Sequence, residues 1–268
     1  MKNKFKNLVF LIIFIFSHHS LFSQLKDAFN YDFGDNIINI SSKEYSIYVQ
    51  KEEGLFTVNN RIIYKSKKIK SFCISGLGNE ILIVEETKIG LFKIEEQLKK
   101  VNEVKYDIDI PIQKIIVDTY GREYYILFSN GNLYKISSDE LKLEKISGIN
   151  SITDVAWSKN INAIYAITSN KIIIIENEKI KSSISLKEVP NSLSILDNTY
   201  EVAVGFESGN ISILSQNLKQ LNLKTKISDT KITSITPHLE DPHIFIGDDL
   251  GYIYSLNTIS NKIDKLKT

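Results

Sequence analysis

Short apolar runs recur along the chain after polar turns, and the first apolar residue of each run allows the copies to be compared. The run "GNLYKIS" has close counterparts in "GNISILS" and "GYIYSLN" further along the chain. The first apolar residues of all such runs are Leu55, Leu91, Leu133, Ile172, Ile211 and Ile253, at spacings of 36, 42, 39, 39 and 42 residues. This periodicity predicts six copies of a structural unit of about forty residues.

Each unit shows the same internal order of predicted strands. A first strand has the pattern Ile-x-x-apolar, as in "ITDV" (152–155), although the fifth unit has Asn191 and Ser194 at those positions. A more continuously apolar second strand follows, as in "YYILF" (124–128), and then the turn and the third strand. The fourth strand is weaker and rich in Lys, as in "LKLEKIS" (141–147). Short strands at regular spacing, without a sustained apolar period of 3.6 residues, predict an all-β protein.

The polarity of the four strands predicts how the units stack. A continuous apolar run is typical of a strand buried on both faces, whereas alternation with Lys indicates one face in water. The second strand should therefore lie inside and the fourth outside, which is the arrangement of β-propeller blades. We predict an all-β fold, a β-propeller of about six four-stranded blades, with seven blades as the alternative count. The blades should span about 36–66, 67–106, 107–147, 148–186, 187–227 and 228–268.

The first 23 residues differ from the rest of the chain. They contain three early lysines, an uninterrupted apolar run over 8–16 and a candidate cleavage site at 21–23. That apolar run is shorter than the roughly 20 residues of a transmembrane helix. We predict a secretory signal peptide over 1–23, with an uncleaved anchor as the alternative. Residues 24–35 form an N-terminal segment that is a candidate ring-closing strand, and the propeller should occupy 36–268.

Charge and cysteine content narrow the classes of partner. The 268-residue chain has a net charge of +1, and removal of a signal with three Lys leaves 30 basic against 32 acidic residues. This balance argues against a nucleic-acid-binding protein, which would have a net basic face. Cys73 is the only cysteine, so no intramolecular disulfide can form, and its apolar surroundings in sequence predict a buried, inert thiol.

Two stretches resemble WD40-type propeller repeats in the order of their strands and turns. They are "SITDVAWSKNINAIYAITSNKIIIIEN" (151–177) and "KITSITPHLEDPHIFIGDDLGYIYSLN" (231–257). No copy contains the Gly-His or Trp-Asp dipeptides of that family, and the single Trp157 lies in a first strand. The stretch 29–59 also resembles the first blade of exported Bacteroidetes propellers of the two-component-regulator and PorZ types. The resemblance implies a propeller fold and an exported protein.

Candidate metal ligands are concentrated in "PHLEDPHIF" (237–245). His238 and His243 are the histidines that remain after signal removal, and Glu240 and Asp241 lie between them. The two prolines of this stretch are equally typical of a turn, and zinc ligands usually converge from more than one element. We expect a hairpin turn between first and second strands, with no metal and no cofactor. With so few His and Cys residues, the sequence offers little material for a nucleophilic catalytic site.

The turns between second and third strands contain repeated acidic residues. In a propeller these turns lie on one face in every blade, so they would form an acidic rim. Lys51 and Lys88 dilute this rim, and the third and fourth blades have Ser129-Asn130 and Ser169-Asn170 instead. The rim is a candidate docking surface for a basic protein partner, although acidic residues also suit solvated turns. The predicted partner-binding residues are Glu52, Glu53, Glu85, Glu86, Glu207, Asp248 and Asp249.

These observations favour a non-catalytic function. We expect an exported β-propeller, periplasmic or at the cell surface, that serves as a protein-interaction module or scaffold of the cell envelope. No membrane span is expected after signal cleavage. The alternative is a propeller enzyme or small-ligand sensor that binds a glycan or other small molecule on the rim face. A deep axial pocket with convergent carboxylates would favour the alternative, and a flat charged rim would favour docking.

Overall fold

A computed structural model describes residues 37–43, 46–57, 61–75, 77–196, 199–238 and 241–266. The predicted signal peptide (1–23) and N-terminal segment (24–35) lie outside these residues. The described residues form 24 strands and no helix, so no described helix is available to cross a membrane. The chain divides into two compact units, an N-terminal unit up to Ile149 and a C-terminal unit from Asn150 onward.

The N-terminal unit contains three four-stranded sheets, each built from consecutive antiparallel strands. The first sheet consists of β1 (Ile37–Lys43), β2 (Ser46–Lys51), β3 (Gly54–Thr57) and β4 (Ile62–Lys65). The second consists of β5 (Ile69–Ile74), β6 (Glu80–Glu85), β7 (Lys88–Ile94) and β8 (Leu98–Lys105). The third consists of β9 (Ile112–Val117), β10 (Glu123–Phe128), β11 (Leu133–Ser137) and β12 (Leu143–Lys145).

The C-terminal unit repeats this arrangement in three further sheets. The fourth sheet consists of β13 (Asp154–Ser158), β14 (Ala163–Ile167), β15 (Lys171–Glu176) and β16 (Lys179–Ser185). The fifth consists of β17 (Pro190–Leu196), β18 (Glu201–Phe206), β19 (Asn210–Leu214) and β20 (Leu221–Lys226). The sixth consists of β21 (Ile232–Pro237), β22 (His243–Asp248), β23 (Ile253–Asn257) and β24 (Ile263–Leu266).

Burial across each sheet follows the predicted order. Second strands such as β10 and β14 are buried over almost their whole length, whereas fourth strands such as β16 and β20 alternate between exposed and half-buried residues. The residues chosen to compare the repeats are all buried in the third strands: Leu55, Leu91, Leu133, Ile172, Ile211 and Ile253. The predicted fold class is confirmed, because the described chain is all-β with six four-stranded antiparallel sheets, as a six-bladed propeller requires.

Consecutive sheets of one unit pack face to face. Their first strands contact each other, with β5 against β1 and β9, and β17 against β13 and β21. Side chains of facing sheets then merge into shared apolar clusters, which bury the large faces of the inner strands. Examples are Leu55 with Phe72, Leu82 with Tyr124, Tyr165 with Val204, and Ala203 with Ile246.

Polar side chains near the first strands connect neighbouring sheets. In the N-terminal unit the amide of Gln50 donates to the carbonyl of Ile69 at 2.8 Å. In the C-terminal unit the Asp154 carboxylate accepts the backbone N–H of Leu193 at 2.8 Å. The Asn191 amide donates to the Ile232 carbonyl at 2.7 Å. These bonds pair polar groups that are buried or half-buried, and they connect adjacent sheets.

The repeated "NGN", "SGN" and "LGY" stretches are tight turns between second and third strands. Gly131, Gly209 and Gly251 have φ angles of 76°, 80° and 85°, a region that other residues adopt only with strain. Each donates its N–H to the carbonyl three residues earlier. A Cβ on Gly209 would also lie 1.9 Å from the carbonyl oxygen of Ser228. Glycine is therefore required at this position by both backbone conformation and space.

Cys73 differs from its prediction. Its side chain in β5 is half-buried rather than fully buried, with the sulfur 3.5 Å from the carbonyl oxygen of Ile74. Successive residues of a strand face opposite sides. Phe72 and Ile74 face the apolar cluster, so Cys73 between them faces away from it and is partly exposed.

Candidate functional site

The seven predicted docking acids divide into an exposed group and a buried pair. Five of them, Glu52, Glu53, Glu86, Glu207 and Asp249, are exposed in turns between second and third strands. The other two end the second strands β6 and β22, and their relative exposures are only 5% for Glu85 and 4% for Asp248. The turns are equivalent within the repeat, so the exposed acids of each unit extend from the same end of its strands.

The backbone of these turns is held by the loops that precede the first strands. The N–H of Glu207 donates to the carbonyl of Val189 at 3.1 Å, and the N–H of Asp249 donates to that of Lys231 at 2.9 Å. In the first sheet the carbonyl of Glu53 accepts the N–H of Ser66 at 3.1 Å. Each turn is thus supported from outside its own hairpin, which orders the backbone from which the exposed carboxylates extend.

Asp248 has a structural role within its turn. Its Oδ1 accepts the backbone N–H groups of Leu250 at 3.0 Å and Tyr252 at 2.9 Å. Its Oδ2 accepts the hydroxyl groups of Ser228 at 2.7 Å and Tyr254 at 3.1 Å. The carboxylate is buried and has four donors, so it holds the turn together and offers little to a partner.

Glu85 occupies the corresponding position in the second sheet. Its carboxylate accepts the Tyr64 hydroxyl at 3.2 Å and lies 3.2 Å from the Lys88 ammonium. Lys88 also binds Glu103 at 3.0 Å, and the hydrogen bonds to Glu103 and Glu85 raise the pKa of Lys88. Burial, followed by the charge of Glu85, raises the pKa of Tyr64. Glu85 therefore belongs to a polar network that joins the first and second sheets.

Lysines approach two of the exposed turns. The ammonium of Lys70 lies 3.8 Å from the Glu86 carboxylate, and both side chains are about half exposed. In the C-terminal unit the Lys226 ammonium donates to the carbonyl oxygen of Ser208 at 2.6 Å and lies 3.6 Å from Asp229. Exposed pairs of this kind contribute little to stability. They lower the local net negative charge, as Lys51 and Lys88 are predicted to do in the turns of the first and second sheets.

Sequence reasoning missed Glu188, which lies in the loop before β17. Its carboxylate accepts the Asn210 amide at 2.7 Å, the Ser208 hydroxyl and the Lys224 ammonium. The hydrogen bond from Lys224, followed by those from Ser208 and Asn210, lowers the pKa of Glu188 to about 2. So acidic a carboxyl is a poor general base for the Ser208 hydroxyl. The cluster supports the turn of the fifth sheet. No sequence signal shows it, because Glu188 and Lys224 each lie 14 residues or more from the Ser208–Asn210 turn.

The predicted hairpin with His238 and His243 is present between β21 and β22. Asp241 Oδ1 lies 2.9 Å from Nδ1 of His243 and 3.3 Å from Nδ1 of His238. His238 is buried and packs against the ring of Phe245. Glu240 lies outside the described residues. No group of three or more metal-ligating side chains occurs in the described part of the chain.

This hairpin lines a cavity of about 230 Å³ in the C-terminal unit. Its walls include Leu196 of the fifth sheet and Ile244 and Ile259 of the sixth. The cavity lies at the end of the strands opposite Glu207 and Asp249, because β17 and β21 begin beside the acidic turns and end at the hairpins that line it. Asp241 is the one carboxylate among the described residues that line it.

No protein-family model matches the chain, and no curated protein is similar to it. The resemblance to WD40-type and PorZ-type propellers therefore rests on the order of strands and turns in the sequence. The six four-stranded sheets agree with a propeller-like repeat fold.

Proposed function

We propose that this protein is an exported, non-catalytic β-propeller of WD40-like repeat type that docks a basic protein partner in the cell envelope. The observation that supports this proposal most directly is the exposure of acidic residues at equivalent turns of the repeated sheets. Loops on a rigid scaffold are where such folds bind other molecules.

Four of the exposed acids are available to a partner. The side chains of Glu52, Glu53, Glu207 and Asp249 make no hydrogen bond or ion pair within the described part of the chain. Their carboxylates are acceptors for Lys and Arg, and opposite charge accelerates association and orients the encounter. Because the turns are held by backbone hydrogen bonds, binding would cost little backbone conformational entropy.

The test is a reversal of these four charges, with a matched control. One variant changes Glu52, Glu53, Glu207 and Asp249 to Lys, and Glu85 and Asp248 remain because they are buried. The control variant makes four equal charge changes at Glu95, Glu96, Asp139 and Glu140, which are exposed between third and fourth strands. Those turns lie at the opposite strand ends. The control variant therefore has the same net charge as the docking variant, and its docking turns are unchanged.

Affinity purification of each variant from gently solubilised envelope of the native host is the assay. We expect a stoichiometric envelope protein to co-purify with the wild type and the control, and to be lost with the docking variant. Circular dichroism spectra should be the same for all three proteins. Equal recovery with both variants would contradict docking through these turns. Export has its own test, since fractionation should place the chain outside the cytoplasm with Gln24 as its first residue.

A further inference from the structure

One turn of the sixth sheet differs from its counterparts in the other sheets. At equivalent positions the third sheet has Asn130 and Asn132, and the fifth has Ser208 and Asn210, on either side of the glycine. The sixth sheet has Leu250 and Tyr252 around Gly251. Their relative exposures are 68% and 38%. The glycine has a similar positive φ angle and the same backbone hydrogen bond in all three turns, so the glycine conformation does not explain the change from polar to apolar residues.

In the other two turns a polar side chain of the turn accepts a backbone N–H, whereas in the sixth sheet a different residue accepts it. Asn130 Oδ1 accepts the N–H of Asn132 at 3.1 Å, and Ser208 Oγ accepts the N–H of Asn210 at 3.5 Å. In the sixth sheet Asp248 accepts the equivalent N–H from inside the strand. Because Asp248 stabilises the turn, the two outer positions are free to hold side chains for another purpose.

The backbone of Leu250 and the ring of Tyr252 are also held before any partner binds. Leu250 follows the Asp248 network directly, and its backbone N–H is part of it. The Lys265 ammonium lies 3.2 Å from the centroid of the Tyr252 ring, a cation–π contact that fixes the ring. An exposed apolar side chain on an ordered backbone is typical of an interface anchor, since less entropy is lost when it is buried.

The neighbouring charges indicate the chemistry of the partner. Asp249 lies next to Leu250, and Glu207 is exposed in the corresponding turn of the adjacent fifth sheet. Lys265 covers one face of the Tyr252 ring, so the negative charge of this surface lies on the side of Leu250. Neither carboxylate has a side-chain partner in the described residues. We propose that Leu250 and Tyr252 anchor a protein segment in which a large apolar side chain is flanked by Lys or Arg. This inference rests on the proposed docking function and adds the contact that provides most of the affinity.

The test uses short peptides as the probe. A display library of random peptides is selected on the immobilised exported chain, and enriched peptides are synthesised and titrated by fluorescence anisotropy. The test variant is L250N/Y252N, which installs the residues that the third sheet has in the same turn. The control is Y200N/I259N, which removes an aromatic and an aliphatic residue from the opposite strand ends, each more exposed than its counterpart in the test variant. Thermal unfolding verifies that both variants fold.

We expect the enriched peptides to combine a large apolar residue with adjacent Lys or Arg. L250N/Y252N should weaken their binding at least about tenfold, and the control should change it by less than about twofold. Failure to enrich such peptides, or wild-type affinity in L250N/Y252N, would overturn the anchor. If the envelope partner is lost with the four-lysine variant but retained by L250N/Y252N, the docking proposal stands and the anchor is wrong.

Discussion

Replacement of Asp248 tests whether the buried acidic residues hold the turns while the exposed ones do not. Asp248 and Asp249 are identical in type and adjacent in sequence, yet one is buried with four donors and the other is exposed. Replacement of Asp248 by Ala removes the acceptor from two backbone N–H groups and two hydroxyl groups. Replacement of Asp249 by Ala removes a carboxylate that makes no hydrogen bond or ion pair with the described residues.

The expected loss of stability follows from those contacts. A buried donor left without an acceptor costs about 1–3 kcal/mol, and loss of the two turn bonds resembles loss of a helix cap at about 1 kcal/mol. Ser228 retains a hydroxyl partner in Thr230 at 3.2 Å, which limits its share. Relief of the buried charge offsets a further part. We expect Asp248→Ala to lower the free energy of unfolding by about 2–4 kcal/mol.

Thermal unfolding followed by circular dichroism measures this difference. In a chain of this size about 1 kcal/mol corresponds to roughly 2–4 °C, so Asp248→Ala should lower Tm by roughly 5–15 °C. Asp249→Ala should stay within about 0.5 kcal/mol of the wild type, as is usual for an exposed residue. If the two variants had equal Tm values, the assignment of Asp248 as the residue that holds the turn would be wrong.

Three further predictions concern other parts of the fold. Gly209→Ala should lower the free energy of unfolding by clearly more than the roughly 1–2 kcal/mol that a left-handed backbone alone costs. The control is Gly148→Ala, because Gly148 has φ of 78° and open space around its Cβ position. Its loss in urea unfolding should be at or below that amount. Tyr165→Phe should lower the free energy of unfolding by about 1 kcal/mol, because the Tyr165 hydroxyl donates to a backbone carbonyl at 2.5 Å. Tyr124→Phe should be neutral or stabilising in the same denaturant assay, since no described residue is a hydrogen-bond partner of its hydroxyl. The pKa of Glu188 is lowered to about 2, so its stabilising effect should be fully present above about pH 5 and lost as the pH falls towards 2. Wild type and Glu188→Gln should therefore differ in Tm at pH 7 and converge at low pH. A difference in Tm that stays constant with pH would contradict a stabilising role of the ionised carboxylate.

Much of the fold could be predicted from the sequence. The spacing of Leu133, Ile211 and Ile253 reveals the repeat, and the contrast between apolar second strands and Lys-rich fourth strands shows which edge faces water. Both signals are local, because strand periodicity and burial depend on residues a few positions apart. The structure confirms the resulting all-β architecture of six four-stranded sheets.

The candidate site was less predictable, because exposure depends on contacts between distant residues. Glu85 and Glu86 look alike in sequence, but only Glu85 meets the Tyr64 hydroxyl, 21 residues earlier in the chain. Glu188 gave no signal because Ser208 reaches it from the turn after β18 and Lys224 from β20.

The sequence by itself thus determined the repeat, the strand order and the turns in which acidic residues occur. Only the tertiary structure decided which acids support the turns and which face the solvent. The physical reason is that side chains alternate between the two faces of a strand, and the groups that meet a buried carboxylate come from the preceding loop or a neighbouring strand. Leu250 and Tyr252 illustrate the same division. Their turn is evident in the sequence, but their exposure and the hydrogen bonds of Asp248 that hold the turn are visible only in the structure.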